Sequence, residues 1–568
     1  MTLFKRSYII SLALSLMLNC NLSFAEAIRQ AADLVVMNAD IYTSNPAKPV
    51  AQSLAVKNGK FIAVGSYDYI KNLIDKKTHI IDAHGNTIIP GLTDSHTHLL
   101  LGTELFYGVD LYGIQDRKKW KEMIRKKDSE LPKGAWILGG RWEIQDGESL
   151  PTKQELDAIV SNRPIVLADS DFHTMWVNSA ALKELGITNK TPNPSGGEIT
   201  RDPKTGELTG LLKENALDLV INSPAYQKAL PAKEDLILKV FKHFNSLGIT
   251  SVHDMWSSGF DIYQNLLNSG KFPMRVWFGL MADISDEKSN PKQFKHYSEI
   301  REKMNNLSLN KEENWNQGPQ FRFGYIKYFA DGVMSTRTAA LHEEYSDCRH
   351  HYGELIHTPE KMNKLVKLAH DEKFPVAVHA IGDHSVDMVI DAFKNNPSKA
   401  KQPDRIEHIE LVKMETIPYF AKLNIVASMQ PDHAIRPTYT EARLGKKRLK
   451  RSFAWQAILT SGAKLVFGSD WPTAIENPMI QLNDAVLREK NGKVWYGENA
   501  LTFDEALYAY TQEPANIAGW GDKTGSISVG KFADFVILDK KIDKKTPINI
   551  SNIKVDQTWF AGEKVYQK

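Results

Sequence analysis

Eight short apolar runs, each closing on polar or ionisable side chains or on a glycine, recur between residues 88 and 470: IIPGLTDSHTH, ITSVHD, MRVWFG, GYIKYFADG, PVAVHA, RIEHIE, NIVASMQ and KLVFGSD. Runs of this length read as buried strands. Most are separated by helical segments, such as Thr358 to Lys373, where Met362, Leu365, Val366 and Ala369 fall on one face. Eight strands alternating with helices is the pattern of a (β/α)₈ TIM barrel, an α/β fold that places its reactive side chains at the C-terminal ends of the strands.

The segments flanking this pattern are β-rich. DLVVMNADIYT, SLAVKNGKFIAVGS and THIIDAHGNTIIP carry hairpin signals at Asn58-Gly59 and Gly85-Asn86, and GSISVGKFADFVILD and IKVDQTWFAGEKVYQ repeat the style near the other end. Either group alone offers few strands and would leave an apolar face open. The two together are expected to form one composite β-sandwich, from residues 26–89 and 521–568. The first barrel strand then occupies 90–100 and the rest of the barrel 233–520. Residues 101–232 are too long for one crossover and read as an insertion over the barrel mouth, a lid with hairpin signals in GAWILGGRWEIQDG and PSGGEITRDPKTGELTG.

Residues 1–25 have the three parts of a signal peptide: Lys5 and Arg6, an apolar run from Ile9 to Leu18, and Ser23-Phe24-Ala25. Cleavage after Ala25 is expected, giving an exported, periplasmic or secreted protein. A lipid anchor at Cys20 is the weaker reading, because Asn19 is a poor match to the small residue that precedes a lipidated cysteine. Cleavage leaves Cys348 as the one cysteine, so no disulfide can form within the chain. A net charge of +3 over 568 residues supplies no field for nucleic acid or an anionic membrane. No apolar run is long enough for stable membrane insertion. No strand is followed by a glycine-rich phosphate loop. A homo-oligomer is compatible with these features.

The chemistry concentrates at the strand ends. In Asp94-Ser95-His96-Thr97-His98 the alternation of a strand points His96 and His98 the same way, so that they can share one ion. His379 in PVAVHA, His408 in RIEHIE and Asp470 in KLVFGSD end three further strands. Neutral imidazoles with one carboxylate and no thiolate suit a catalytic divalent-metal site with an open position. Lys327 sits in the middle of an apolar strand, which is costly unless the amine is paired or altered. Two readings stand: a salt bridge across the barrel, to Asp331 for instance, or a neutral amine that takes up carbon dioxide as a carbamate able to bridge two metals.

The motifs PGLTDSHTH, HTMWVNSAAL, GITSVHDM, KYFADGVMSTRTAAL, VAVHAIGD, RIEHIE, GSDWP, TQEPANIAG and GSISVGKFADFVILD occur in an order that resembles the amidohydrolase superfamily. Within it the chain resembles amidohydrolase family 3, the YtcJ-like and N-substituted formamide deformylase-like metal-dependent hydrolases. The likeness covers nearly the whole mature chain. It implies a (β/α)₈ barrel with a composite β-sandwich, His96 and His98 on the more buried metal, carboxylated Lys327 as the bridge, and His379 and His408 on the second metal. Asp470 would be both ligand and proton acceptor. Val333 and Met334 depart from the Ser and Leu of many relatives and bear on pocket shape.

The reaction this implies is metal-assisted hydrolysis of a C–N bond in a small amide-type substrate, N-acyl or N-formyl. Zinc is the default metal for two such sites, with manganese, iron or nickel as alternatives. His173 could hold an oxyanion. Trp142, Trp176, Trp256 and Trp471 could wall an apolar pocket or serve in core packing. Arg337 could bind a substrate carboxylate or pair with Asp331 or Glu343, and Asp254 reads as an anchor behind the metal ligands. Two other functions stay open: isomerisation or hydrolysis of a non-amide bond at the same metals, and a non-catalytic periplasmic binding or regulatory protein.

Overall fold

In the computed structural model eight parallel strands pair in chain order: β1 (Leu92–Thr97), β2 (Ile249–Asp254), β3 (Arg275–Met281), β4 (Phe321–Phe329), β5 (Val376–Ala380), β6 (Arg405–His408), β7 (Val426–Met429) and β8 (Lys464–Phe467). The structure describes residues 31–144, 148–170, 172–194, 196–230, 233–255, 260–269, 272–282, 290–309, 320–543 and 550–568. The expected signal peptide and Trp256 lie outside them. β1 and β8 meet at the seam through a Thr97–Trp471 bridge, with Asp470 N donating to His96 O at 2.7 Å and His98 N to Trp471 O at 2.8 Å. These bonds bring the ends of the first and last strands together, and with them three of the expected metal ligands, His96, His98 and Asp470.

The barrel is held by helices whose apolar stripes face the sheet. The helix Pro359–Asp371 buries Met362, Leu365, Val366 and Ala369, as its periodicity predicts, and starts on Thr358, whose side chain accepts from Lys361 N. Proline at its first position costs no hydrogen bond there. Among the described residues no helix is long and apolar enough to cross a membrane.

Strands from both ends of the chain share a six-stranded sheet. Its order is Glu563–Gln567, Val555–Phe560, Phe535–Leu538, Thr87–Pro90, Asp40–Tyr42 and Val50–Ala51. A four-stranded sheet (Lys60–Gly65, Ser53–Lys57, Leu34–Met37, His79–Asp82) packs against it, with Val36, Ile41, Leu54, Ile88, Phe535 and Ile537 among the side chains between. This is the composite sandwich expected from the two β-rich ends.

The inserted segment is more than a hairpin. The pair Gly197–Arg201 and Leu208–Glu214 does form one, but it joins Thr174–Val177, Val166–Asp169, Gly139–Trp142 and Val109–Asp110 in a mixed six-stranded sheet. Apolar clusters form around it, one containing Leu138, Val177 and Leu212, another Trp120, Trp142 and Trp176. A segment with its own core can carry residues to the barrel mouth in a fixed position.

Candidate metal centre

Both histidines of β1 end up on one carboxylate. His96 Nε2 lies 3.2 Å and His98 Nε2 3.1 Å from the same oxygen, Asp470 Oδ1, and all three side chains are buried or nearly so. The strand alternation that points His96 and His98 the same way thus brings them together, and the β1–β8 seam supplies the acid. On the other oxygen, Asp470 Oδ2, His408 Nδ1 and His433 Nε2 each stand at 3.9 Å. His379 packs its ring 4.6 Å from that of His408, which is 4.7 Å from His96. Residues from β1, β5, β6, the segment after β7 and the turn after β8 therefore converge on one point at the C-terminal end of the barrel.

Each ring is oriented from behind. His96 Nδ1 is 2.7 Å from Glu407 Oε2, His408 Nδ1 is 2.8 Å from Gln430 Oε1, and His379 Nε2 is 3.0 Å from the Gly332 carbonyl. An acceptor on one nitrogen fixes the ring and leaves the other for a ligand. Glu407 is itself clamped by Arg405, whose guanidinium also reaches Ser95 O and Ser428 Oγ, each at 2.7 Å. Glu407 sits between Ile406 and His408 in RIEHIE, and its role was not apparent from the motif. Asp94 supports the seam from beneath, accepting from Ser469 N at 2.9 Å and His96 N at 3.1 Å.

Lys327 on β4 is buried, with Phe329 stacked 5.1 Å from its ammonium. The salt bridge to Asp331 is not formed. That carboxylate is taken up by Ala340 N, Ile381 N, Gly382 N and Ser385 Oγ at 2.7–3.0 Å, which tie together the loops after β4 and β5. Burial pushes the Lys327 amine down to about 8, against the pull of Glu407 and Asp470. A buried amine in that range has a sizeable neutral fraction near pH 7, the form that carboxylation requires.

The electrostatics fit a cation. Burial pushes His98 down to about 4 and His379, which also feels Lys327, to about 3; His408 falls well below its ordinary value for the same reason. Burial would raise the Asp470 carboxyl, but His96, His98 and His408 around it hold it well below the usual carboxylate range. At neutral pH His98, His379 and His408 are lone-pair imidazoles beside an ionised Asp470, a hard and borderline donor set without thiolate. His96 Nε2 is buried with no well-formed hydrogen bond, an atom aimed at a ligand position. His96, His98 and Asp470 form one group whose donor atoms could hold an ion, and His408, His433 and Asp470 a second. The residues present fit divalent metal.

The remaining expected site residues lie elsewhere. Trp142 is buried in the inserted unit, donating to Leu167 O at 2.9 Å and packing on Trp176; both belong to that core. Trp471 is buried against Phe244, and its backbone carbonyl accepts from His98 N. Arg337 pairs in a fork with Asp347 at 3.1 Å through both nitrogens, a partner not foreseen. His173 is exposed and faces Glu214 at 2.9 Å. Asp254 holds the start of the helix after His98, accepting from Leu99 N at 3.1 Å and Tyr263 Oη at 2.7 Å. Two residues were missed. His433 lies beyond the end of the apolar run NIVASMQ, on the short helix Pro431–Ile435. Arg141 of the inserted unit, fixed by Asp110, donates to the Pro472 carbonyl at 3.0 Å, two residues past Asp470.

The sequence profile of the amidohydrolase family matches residues 79–566. The plant protein LONG AFTER FAR-RED 3 of Arabidopsis thaliana is 32% identical over 94% of this chain and 92% of its own length. N-substituted formamide deformylase of Arthrobacter pascens is 26% identical over 95% of this chain and 99% of its own. Among solved structures, a metal-dependent hydrolase of Pyrococcus horikoshii superposes with a TM-score of 0.72 at 25% identity, covering 91% of this chain and 99% of that one.

Proposed function

The chain belongs to the amidohydrolase family, and from that premise we propose that it hydrolyses the C–N bond of a small amide, an N-acyl or N-formyl compound, at a two-metal centre. The observation that carries the proposal is the meeting of His96, His98, His379, His408 and Asp470 beside buried Lys327, at the end of the barrel where this fold does its chemistry. The name of the formamide deformylase, matched along nearly all its length, supports the substrate class.

Divalent ions, when bound, would acidify water and polarise a substrate carbonyl. His96 and His98 would hold the inner ion and His379 and His408 the outer one, with Lys327 bridging as a carbamate. Asp470 is placed to take the proton of the attacking water and return it to the leaving nitrogen. Its backbone N–H on His96 O and the Arg141 bond to Pro472 O keep that carboxylate in position. Zinc is the metal the donor set favours by availability, and residues 1–25 support export through cleavage after Ala25.

The test is metal content per chain, after expression with bicarbonate, beside Lys327→Ala, followed by a screen of N-formyl and N-acyl amines. About two ions in the parent, fewer in the variant, and release of amine are expected. No bound metal after metal and bicarbonate are supplied would overturn the proposal. Cell fractionation with an antibody to the mature chain tests export, and retention of an uncleaved chain in the cytoplasm would overturn it.

A further inference from the structure

A fifth imidazole, His433, stands at the metal centre in the same arrangement as His96. His96 has its Nδ1 on a carboxylate, Glu407, and its Nε2 toward Asp470. His433 repeats this: Nδ1 lies 3.6 Å from Glu410 Oε1 and Nε2 lies 3.9 Å from Asp470 Oδ2. A carboxylate behind one ring nitrogen with the other turned inward is how protein histidines are set to bind metal. The ring of His433 is parallel to that of His408, 9° between planes with centroids 5.9 Å apart, so two imidazoles face the same space as a layer. Donor atoms of His408, His433 and Asp470 all fall within 4.8 Å of one another.

The distances allow His433 and Asp470 to share one ion. Two atoms on one zinc, each at about 2.1 Å, stand at most about 4.2 Å apart. The 3.9 Å between His433 Nε2 and Asp470 Oδ2 falls inside that limit. A protonated His433 paired with Glu410 and Asp470 would make the same contacts without metal, and the metal content of the variants below separates the two. The position is also fixed by the chain: Pro431 starts the short helix directly after Gln430, whose side chain orients His408, so the segment that aligns one ligand delivers His433 beside it.

We infer that His433 is a ligand of the outer metal ion, completing with His408 and Asp470 a set that the strand-end histidines alone leave short. Glu410 is then a positioning residue that holds the His433 ring. The inference rests on the metal-dependent reading above. It makes the segment after β7 part of the metal site, so that the outer ion is held by residues at the ends of β5 and β6 and by residues following β7 and β8.

The experiment uses the full mature chain and zinc alone, with competition by a chelator of graded strength, and cobalt substitution for its visible absorption. His433→Gln keeps a polar side chain of similar length and is the first variant. The expected result is retention of the inner ion, with the outer ion released at chelator levels at least about 10-fold lower than in the parent, and a changed cobalt spectrum. Glu410→Gln, which leaves the imidazole in place, is expected to weaken the outer ion less and to keep the cobalt spectrum; it carries the test if His433→Gln does not fold. Two ions with unchanged release and an unchanged spectrum in both variants would overturn the assignment while leaving the hydrolase reading intact. A parent that binds no metal under any supply would overturn both.

Discussion

The barrel mouth and the core of the sandwich are buried to the same degree and filled in opposite ways. Val36, Leu54, Ile88 and Phe535 fill the sandwich with carbon alone. His96, Lys327, Glu407 and Asp470 fill the end of the barrel with groups that water would otherwise solvate. Burial stabilises the first set at about 25 cal/mol per Å² of apolar area. It works against the second, where every group needs a partner. The sandwich can therefore exchange one apolar side chain for another of like volume, whereas each member of the barrel set is fixed by the next.

The sharpest way to break this contrast is Asp470→Asn, which keeps the volume and removes the charge. Turnover should fall by about 10²–10⁴-fold with the melting temperature nearly unchanged; a variant that still turns over would remove Asp470 from the proton path. Leu54→Ala should do the reverse. A loss of about 2–5 kcal/mol in unfolding free energy is expected, with metal content and KM at parental values, and a change in metal content would show that the two regions are coupled. Chelation comes next. If ions bind the folded barrel and not the unfolded chain, restoring metal to 100 times its dissociation constant should return about 2.7 kcal/mol. A melt indifferent to metal would mean that no ion binds the folded chain in preference to the unfolded one. The smallest effect is expected for Trp142→Phe, which forfeits the bond to Leu167 O and part of the ring's packing on Trp176: about 1–2 kcal/mol of stability. A change in substrate preference in that variant would place the indole at the pocket after all.

The barrel was legible because its strands are short apolar runs that stop abruptly, and the stops are the chemistry. The composite sandwich followed from too few strands at each end. What sequence did not reveal is contact between residues far apart in the chain. Glu407 looks like an ordinary strand residue until His96, 311 positions away, is seen on its carboxylate. Arg337 carries a fork that would suit any acid, and only folding selects Asp347 over Asp331 and Glu343. Asp331, offered as one possible partner of Lys327 across the barrel, is satisfied instead by backbone N–H groups after β4 and β5. His433 lies past the end of the apolar run NIVASMQ, on a short helix with no strand pattern to mark it. The tryptophans were ambiguous for a physical reason: a large ring suits a pocket wall and a core equally, and Trp142 proved to be core.

The sandwich has a consequence in time. Ile542 N donates to Thr87 Oγ1, 455 residues earlier in the chain, and the neighbouring strand Phe535–Leu538 pairs directly with Thr87–Pro90. At roughly 5–20 residues per second of synthesis, the first of these partners waits roughly 20–90 s for the second. Throughout that interval the Thr87–Pro90 edge is an open template for any strand that reaches it, its own or a neighbour's. The strand Phe535–Leu538 is what retires this hazard, so a chain cut before Phe535 should yield aggregate rather than a shorter enzyme.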